Sequence, residues 1–423
     1  MKTLLKNCYV LCGHEMKFTK VVVDDDIISY IGDEPKEYDQ MKDMRGTLLM
    51  PGLVNAHAHG PMTLLRGVGG GLALQDWLNN AIFPREAKMT PEDIRIGEDW
   101  AIIEMLAAGI TMSAEMYDFP WELGESLVKS GMKGNICRVG LSFSDEEEIP
   151  PNRFNECVEL VEKFNDPTGK VVADFCLHSE YLTTEDFVAK IVEANNKYKH
   201  LVHVHISETQ AENDDCKIRH DGLSPVKFLY KMGLFDQKVY AAHCIWVDDE
   251  DLDILKEKGV TIVHNPTSNM KLGSGFAPIR KAMAKGVNVA LGTDGVASNN
   301  SLNIFKEMHL ASIIHNGHRL DPVSIKPAQV IDMATINGAK ALGRTDTGIL
   351  EVGKKADIIA VSLDSPHMYP IIDVLSLLCY SVQSGDVVMT MVDGKILYDH
   401  GDYSTMDIDK TKFELGECIK RII

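Results

Sequence analysis

The stretch that decides the fold is Pro51-Gly52-Leu53-Val54-Asn55-Ala56-His57-Ala58-His59-Gly60. Side chains of a β-strand alternate between its two faces, so His57 and His59 project from the same face and can meet one metal ion. Val54, Ala56 and Ala58 project from the opposite face, where small apolar side chains can pack under a helix. A buried strand with two hydrogen-bonded histidines is the alternative, and the rest of the chain has to decide between the two.

The composition is that of an ordinary soluble enzyme. The chain has 423 residues, enough for one large domain or two smaller ones, with 45% hydrophobic and 7% aromatic residues. A formal net charge of −19 argues against a nucleic-acid partner and against binding to an anionic membrane. Nine cysteines without a Cys-x-x-Cys pair are typical of reduced thiols, and no apolar run approaches the ~18 residues of a membrane span. We therefore expect a cytoplasmic protein.

From residue 49 onwards, short apolar runs alternate with stretches of helical period. The eight candidate strands span residues 49–59, 109–116, 135–142, 170–178, 201–207, 239–245, 260–265 and 287–293. The helical stretches span residues 91–108, 154–165, 184–198, 225–232, 248–258 and 278–285. Eight strands in alternation with helices predict a (β/α)8 TIM-type barrel of the α/β class. A doubly wound open sheet is the alternative, but it would usually show a glycine-rich phosphate turn after an early strand.

Two helix starts carry capping chemistry, and the two ends of the chain carry a different pattern. Thr90 and Thr184 precede acidic first turns, which favours helices that begin there. Residues 1–50 and 348–423 contain short β-rich segments separated by glycine and aspartate turns. We expect these segments to pair into one small β-sandwich domain, split in sequence by a catalytic barrel of residues 51–347. The last 21 residues of the sequence, from Tyr403, read as an exposed C-terminal helix.

Polar residues with metal-binding or catalytic chemistry follow the predicted barrel strands. The active sites of such barrels lie at the carboxyl ends of the strands. The residues there are His57, His59, Glu115, Arg138, His178, His205, His243, His264, Asn265 and Asp294. Folding alone does not require a core strand to end in histidine or aspartate. We therefore interpret these positions as a functional site.

Four of these residues form a donor set for one metal ion. The candidate ligands are His57, His59, His205 and Asp294. Zinc prefers histidine nitrogens and a carboxylate oxygen, and a catalytic zinc keeps one position for water. A lysine at the end of the fourth strand would suggest a carbamate that bridges two metals, but the residue there is His178. We predict one divalent ion, with Zn²⁺ favoured and Fe²⁺ or Mn²⁺ also compatible with this donor set.

Three residues near the predicted metal could move protons. Glu208 lies three residues after His205, on the turn that leaves the strand, where it could act as a proton shuttle on the leaving-group side. His243 is a candidate to hydrogen-bond the attacking water, and Asp294 could accept a proton from that water. His203, two residues before His205, is either a hydrogen-bonded core histidine or a support for the ligands.

Five motifs together resemble the amidohydrolase superfamily. They are Met50-Pro51-Gly52-Leu53-Val54-Asn55-Ala56-His57-Ala58-His59, His205-Ile206-Ser207-Glu208-Thr209, His243-Cys244, His264-Asn265-Pro266-Thr267-Ser268-Asn269-Met270-Lys271-Leu272 and Gly292-Thr293-Asp294-Gly295. The branch they resemble most is that of the 5-methylthioadenosine/S-adenosylhomocysteine deaminases and chlorohydrolase-like enzymes, and the resemblance covers nearly the whole chain. It implies one metal ion, usually zinc, that activates water for attack on an amidine-like ring carbon, with loss of ammonia.

The resemblance also implies which residues hold the substrate. The candidates are Trp77, Glu86, Arg138, Arg153, His178, Glu208 and Asp294. Glu86 would accept hydrogen bonds from the two ribose hydroxyls, and His178 would contact the purine. Arg138 resembles the arginine that binds the homocysteine carboxylate, and Arg153 resembles a second one on a less securely placed loop. The expected reaction is hydrolytic deamination of the adenine 6-amino group of S-adenosylhomocysteine, methylthioadenosine or both, with adenosine as a further candidate.

Two other hypotheses remain open from the sequence. An enzyme of the same branch could act on guanine, a pterin or an aminotriazine, or be a chlorohydrolase, and would not need Glu86 or Arg138. A non-catalytic barrel used as a scaffold would be expected to lack a ligand, whereas all four candidate ligands are present here. We expect a small-molecule adenine nucleoside as the partner, with no nucleic acid and no membrane. A homo-oligomer is compatible with the family resemblance.

Overall fold

The computed structural model describes residues 1–34, 37–142, 153–166 and 168–423. Its strands are β1 Lys2–Cys12, β2 Glu15–Asp24, β3 Ile27–Gly32, β4 Gln40–Asp43, β5 Thr47–Pro51, β6 Leu53–Ala58, β7 Ile110–Tyr117, β8 Lys133–Arg138, β9 Val171–Ala173, β10 Phe175–Leu177, β11 Leu201–Ile206, β12 Lys238–His243, β13 Thr261–His264, β14 Val289–Leu291, β15 Ile358–Ser362, β16 Val387–Val392, β17 Lys395–Asp399 and β18 Asp402–Tyr403.

The helices connect and cover these strands. They are α1 Leu74–Trp77, α2 Phe83–Glu86, α3 Pro91–Ala107, α4 Pro120–Ser130, α5 Arg153–Lys163, α6 Glu185–Tyr198, α7 Gln210–Arg219, α8 Pro225–Lys231, α9 Asp249–Glu257, α10 Pro266–Lys271, α11 Ile279–Lys285, α12 Val296–Asn299, α13 Ile304–Arg319, α14 Pro327–Ala334, α15 Ile336–Ala341, α16 Val374–Tyr380 and α17 Ile408–Ile422. Within the described ranges, no helix combines the length and the apolar character needed to cross a bilayer.

Strands β6 to β14 form the predicted TIM-type barrel. They make two parallel arcs, β6-β7-β8-β9 and β10-β11-β12-β13-β14. Strands β9 and β10 are the two halves of the predicted fourth strand, broken at Asp174, whose N–H donates to the carbonyl of Ile136 on β8 (2.8 Å). The barrel closes where the Asp294 N–H donates to the His57 carbonyl (2.9 Å). The alternation of apolar runs and helical stretches therefore predicted the barrel correctly.

The first predicted strand, residues 49–59, is in fact two strands in two different sheets. Strand β5 pairs with β1 and β15 in a separate sheet, and β6 begins the barrel. Gly52 lies between them, with its N–H bonded to the Asp357 carbonyl (2.9 Å). A Cβ on Gly52 would lie 2.2 Å from Thr111 Oγ1, so only glycine fits this crossing. Period-two alternation does not reveal the change because both strands are buried throughout.

The outward face of β6 packs as the alternation predicts. A Cβ on Gly338 of α15 would lie 2.7 Å from the Val54 Cβ, so the glycine lets the helix approach this side chain closely. His57 projects from the other face of the same strand, toward the other histidines of the site. The first barrel strand therefore supports a helix with one face and the site with the other.

The two ends of the chain meet in one mixed sheet of nine strands. Its order is β18-β17-β16-β15-β5-β1-β2-β3, with β4 paired to β1. A buried ion pair joins this sheet to the barrel, since Lys133 Nζ of β8 lies 2.6 Å from Asp357 Oδ2 and 2.6 Å from Asp393 Oδ1. The chain therefore leaves this sheet after β5 and returns to it at β15. The sandwich form of the small domain and its boundaries at residues 50 and 347 stay predictions.

The C-terminal helix is not exposed as predicted but packs on α3. Its buried residues are Thr411, Leu415, Cys418 and Ile422, a spacing of four, three and four that gives one helix face. Arg421 binds Asp93 with both terminal guanidinium nitrogens. Asp93 also forms a capping box with Thr90 at the start of α3, where the sequence predicted capping by Thr90. Charged residues between the buried positions hid this face in the sequence.

Asp174 generates a test of the barrel's stability. Asn135 Nδ2 and Tyr240 Oη donate to its Oδ2 (2.8 and 2.9 Å), yet burial raises the pKa of Asp174 from 3.8 to about 6. The folded state therefore holds this proton more tightly than the unfolded state, and that stabilisation is lost as the pH rises through about 6.

We expect the free energy of unfolding of the wild type, relative to that of Asp174→Asn, to fall by about 2 kcal/mol between pH 4 and pH 7. The asparagine cannot titrate and keeps an oxygen to accept both hydrogen bonds. Denaturant unfolding of both proteins across this range measures the difference. A difference that does not change with pH would contradict the role of burial at Asp174.

Candidate active site

A cavity of about 360 Å³ lies at the carboxyl ends of the barrel strands. The predicted site residues that line it are His59, Trp77, Glu86, Arg153, His178, His205, Glu208, His243 and Asp294. His57 lies beneath it and is fully buried. Arg138 and the strand-end residues Glu115, His264 and Asn265 are not in this lining. Most of the strand-end positions chosen from the sequence therefore converge on one space, and these four do not line it.

The three candidate histidine ligands are each held by their Nδ1 atom. The contacts are His57 Nδ1 with His203 Nε2 (2.9 Å), His59 Nδ1 with the Met116 carbonyl (2.6 Å) and His205 Nδ1 with the His178 carbonyl (2.7 Å). Such contacts fix the ring orientation and leave the Nε2 atom free to bind a metal. Of the two roles left open for His203, the structure places it in contact with a candidate ligand.

The remaining ring nitrogens and a carboxylate meet at one point. Potential ligand atoms of His57, His59 and His205 lie within 4.8 Å of one another, and Asp294 Oδ1 lies 3.5 Å from His57 Nε2 and 3.2 Å from His59 Nε2. Among the described residues, the buried His57 Nε2 has no hydrogen-bond partner. A buried polar atom without a partner is costly, and a divalent ion would provide one. Three nitrogens and one carboxylate oxygen fit such an ion.

Asp294 is held rigidly at this point. Its Oδ1 accepts from the Gly295 N–H (2.7 Å), and its Oδ2 accepts from the Ser268 and Ser298 hydroxyls (2.5 and 3.1 Å). Burial favours the neutral acid, but the neighbouring His57 imidazole and that of His59 hold the pKa of Asp294 well below its usual range. The side chain is therefore an oriented carboxylate that can accept a proton.

Glu208 has the opposite tendency. Burial raises the pKa of Glu208, so its carboxyl holds a proton more readily than an exposed glutamate. Its Oε2 lies 3.7 Å from His243 Nε2, and Asn269 Oδ1 lies 2.8 Å from His243 Nδ1. The Glu208 backbone N–H donates to Glu212 Oε2 (2.7 Å), which fixes the turn after β11. The cavity therefore contains a proton donor and a proton acceptor close together.

Several strand ends adopt left-handed backbone conformations without glycine. The φ angles are 52° at Ser207, 72° at His243, 46° at Cys244 and 61° at Asp294. Non-glycine residues rarely adopt such angles, and clusters of them are typical of active sites. The backbone strain lies at the ends of the strands that carry the site and accompanies the turn of these side chains into the cavity.

The residues expected to hold the nucleoside also lie at the cavity. Trp77 and His178 line it, and the Tyr117 hydroxyl bonds to the Glu86 carboxylate. Burial raises the pKa of Glu86 to about 6, although the bond from Tyr117 opposes that rise. Glu86 therefore points into an apolar cavity with a hydroxyl that holds it in place.

Sequence reasoning chose Glu115 at the end of the second strand and missed Tyr117. Glu115 instead accepts a hydrogen bond from the Gly60 N–H (2.7 Å) and does not face the cavity. Tyr117 lies two residues later, on the same face of β7, and it lines the cavity. A correct estimate of the strand length would have identified Tyr117, because β7 extends to Tyr117 and not only to the predicted residue 116.

The two predicted arginines lie close together but are bound to acidic residues of the chain itself. Arg138 Nε donates to Glu156 Oε2 (2.5 Å), and its Nη1 binds Asp118 Oδ1. Arg153 Nη1 lies 3.1 Å from the same Asp118 oxygen. Arg153, expected to be the less securely placed of the two, lines the cavity, whereas Arg138 lies behind it. Their roles in substrate binding stay predictions.

Comparison with known proteins identifies the family. Residues 48–397 match the Amidohydrolase family. The chain belongs to the amidohydrolase family. This amidohydrolase is 42% identical over 387 residues to the 5-methylthioadenosine/S-adenosylhomocysteine deaminase of Acetivibrio thermocellus, which covers 91% of this chain and 89% of that relative. It is 41% identical over 415 residues to the 5′-deoxyadenosine deaminase of Methanosarcina mazei. That alignment covers 97% of this chain and 95% of the relative.

A solved structure shows the same fold over the whole chain. The crystal structure of an adenosine deaminase from Xanthomonas campestris, with bound zinc, matches with a TM-score of 0.95 at 30% identity. The match covers 99% of this amidohydrolase and 98% of the other chain. The similarity therefore extends beyond the barrel to the strands at both ends.

The contact between His203 and His57 predicts a supporting role in metal binding. His203→Ala removes the group that orients His57, and loss of such a partner typically costs about 10- to 100-fold in metal affinity. Chelator competition followed by elemental analysis measures the affinity.

A matched control is His315→Ala. His315 is also a buried histidine, but its Nε2 contacts His264 Nε2 (3.1 Å) and no candidate ligand. This variant is expected to retain the metal affinity of the wild type. Equal losses in the two variants would point to general destabilisation and contradict the supporting role.

Proposed function

We propose that this amidohydrolase removes the 6-amino group of adenine nucleosides by hydrolysis, with S-adenosylhomocysteine and methylthioadenosine as the leading substrates and adenosine as a further one. The observation that carries the proposal is the acid–base pair of Glu208 and Asp294 beside three histidine nitrogens, in a cavity that also contains Glu86. The deaminase activities named for relatives at 42% and 41% identity support it. The products would be the inosyl nucleoside and ammonia.

We propose one divalent ion, with Zn²⁺ favoured over Fe²⁺ or Mn²⁺. The residues that would hold it are His57, His59, His205 and Asp294. When bound, such an ion makes water acidic enough to act as a nucleophile near neutral pH. The zinc of the Xanthomonas campestris structure supports this choice.

Glu208 would act first, as the acid. A proton delivered from its carboxyl to ring N1 of adenine withdraws electrons from C6 and prepares that carbon for attack. Burial raises the pKa of Glu208, which favours the protonated carboxyl that this step requires.

Asp294 and His243 would act on the water. Asp294 accepts a proton from the water as its oxygen bonds to C6, and then passes that proton to the departing 6-amino group. His243 holds the incoming oxygen by a hydrogen bond, and Asn269 fixes the imidazole in the necessary orientation. The C6–N bond then breaks and ammonia leaves. The C6 hydroxyl becomes the carbonyl of the inosyl product as its proton returns to the Glu208 carboxylate, so one water is consumed for each ammonia released.

The nucleoside would be held by other residues of the cavity lining. Glu86 would accept hydrogen bonds from the ribose hydroxyls, while Trp77 and His178 would contact the rings. Arg138 and Arg153 are proposed to lie near the 5′ substituent. A guanine, pterin or aminotriazine deaminase, or a chlorohydrolase, is the alternative within the family, and would not need Glu86.

The remaining predictions from the sequence complete the proposal. We propose a small β-sandwich domain of residues 1–50 and 348–423 around the catalytic barrel of residues 51–347. We also propose a cytoplasmic location, in keeping with nine free cysteines. The expected partner is a small-molecule nucleoside rather than nucleic acid, and homo-oligomerisation stays open.

An ultraviolet substrate panel tests the reaction. The metal-loaded protein is expected to change the adenine absorbance of S-adenosylhomocysteine or methylthioadenosine and to release ammonia. Glu208→Gln keeps the size of the side chain but cannot transfer the acid proton, so kcat should fall by roughly 10²- to 10⁴-fold while the metal content is unchanged. If the protein converts guanine or an aminotriazine and leaves the adenine nucleosides unreacted, the result would favour the alternative function within the family.

Glu86→Gln tests the ribose contact. Hydrogen bonds to a charged group contribute roughly 1.5–3 kcal/mol, so kcat/KM for nucleosides should fall about tenfold to a hundredfold, mainly through KM. The pKa of about 6 adds a second signature. As the pH falls through about 6, Glu86 gains a proton and loses acceptor capacity, so KM should rise in the wild type and not in the variant.

The matched control for this variant is Glu92→Gln. Glu92 lies on α3, where it is exposed and bound to Arg95. Its substitution should leave KM unchanged. If Glu86→Gln has the same KM and the same pH profile as the wild type, Glu86 does not bind the ribose hydroxyls.

A further inference from the structure

Four charged side chains form a closed cluster at one wall of the cavity. They are Arg138, Arg153, Asp118 and Glu156. A single oxygen, Asp118 Oδ1, bonds to the Nη1 atoms of both arginines, at 3.1 Å for Arg153. Asp118 therefore occupies the position between the two guanidinium groups where a substrate carboxylate would be expected to bind.

Among the residues that the structure describes, this cluster has no surplus positive charge. Two guanidinium groups face two carboxylates, so the formal charges cancel. Arg138 is engaged on two sides, by Glu156 at Nε and by Asp118 at Nη1, and its side chain is 10% exposed. Arg153 is 18% exposed and Asp118 is 40% exposed. The groups that an incoming tail meets first are therefore an arginine and the carboxylate that neutralises it.

An anionic tail gains little from such a cluster. Its carboxylate would have to displace Asp118, which exchanges one ion pair for another and also removes a charged group from water. An uncharged tail leaves the ion pairs intact and meets apolar side chains instead. Phe119, Val139 and Leu141 line the cavity close in sequence to Asp118 and Arg138.

We propose that Asp118 is a specificity-determining residue, which makes this site favour adenine nucleosides with an uncharged 5′ substituent over those that carry a carboxylate there. The inference rests on the proposed adenine-nucleoside deamination and narrows its substrate class. It reverses the expectation that the two arginines are available to bind the homocysteine carboxylate.

The test compares two substrates in two proteins. The wild type is expected to have a higher kcat/KM for methylthioadenosine than for S-adenosylhomocysteine. Asp118→Asn keeps the shape of the side chain but leaves the arginine pair with one uncompensated charge. This variant should raise kcat/KM for S-adenosylhomocysteine roughly tenfold or more, because bonds to charged groups are worth about 1.5–3 kcal/mol. Methylthioadenosine should change by less than about twofold, because its tail has no charge to meet the arginines.

Glu156→Gln is the control for charge alone. This substitution removes the same formal charge, but from Glu156, which pairs with Arg138 and does not line the cavity. Asp118 stays between the two arginines. The effect of Glu156→Gln on S-adenosylhomocysteine should be several-fold smaller than that of Asp118→Asn. Equal gains in both variants would assign the effect to net charge and overturn the role of Asp118.

Two further outcomes would also overturn it. The tail of S-adenosylhomocysteine carries an ammonium as well as a carboxylate, so a loss of kcat/KM for this substrate in Asp118→Asn would mean that Asp118 binds the ammonium. If the ratio of kcat/KM for S-adenosylhomocysteine to that for methylthioadenosine is the same in Asp118→Asn and in the wild type, Asp118 does not discriminate between the two substrates. Both outcomes leave the proposed function intact, whereas failure of the wild type to deaminate any adenine nucleoside would overturn both.

Discussion

The hydrogen bond from the Asp294 N–H to the His57 carbonyl is the contact on which the site depends. It joins the last barrel strand to the first, and the two residues it joins are both candidate ligands. Barrel closure and assembly of the donor set are therefore one event. Because the Asp294 backbone is left-handed there, its carboxylate turns back toward the His57 and His59 rings. Any distortion of this closure would separate the carboxylate from the nitrogens.

The cavity sets two carboxyl groups to opposite tasks by their surroundings. Both Glu208 and Asp294 are buried, and burial alone would raise the pKa of each. Asp294 has two imidazoles and three hydrogen-bond donors around it, and its pKa falls. At Glu208 burial outweighs the opposing effect of the His243 imidazole, 3.7 Å away, and the pKa rises. One cavity therefore contains a carboxyl group that favours its proton and a carboxylate that can accept one. This arrangement suits a reaction in which one group protonates a substrate ring and the other removes a proton from water.

The barrel and most of the site were predictable from the sequence because both follow from periodicity. Apolar runs give the strands, and a residue that ends a strand must lie at one known end of the barrel. The positions of His57, His205 and Asp294 follow directly. Gly52 was not predictable as a change of sheet, because strands that are buried on both faces leave no alternation to read.

Partners were harder to predict than positions. Residue type indicates that an arginine can bind a carboxylate, but it does not indicate that Asp118 of the same chain already does so. Tyr117 was missed because β7 continues one residue beyond the predicted end, so that Tyr117 and not Glu115 lines the cavity. The left-handed φ angles at Ser207 and Cys244 have no signal in residue type, because neither is a glycine.

The sheet that joins the two ends of the chain has a consequence for the order of folding. Strand β5 pairs with β1 on one side and with β15 on the other, and Ile358 of β15 comes about 300 residues after Pro51. During synthesis the N-terminal strands emerge first. The edge of β5 that pairs with β15 then has no partner until the whole barrel has been synthesised. A nascent chain therefore presents an open strand edge directly before the strand that carries the candidate ligands His57 and His59. Such open edges promote aggregation.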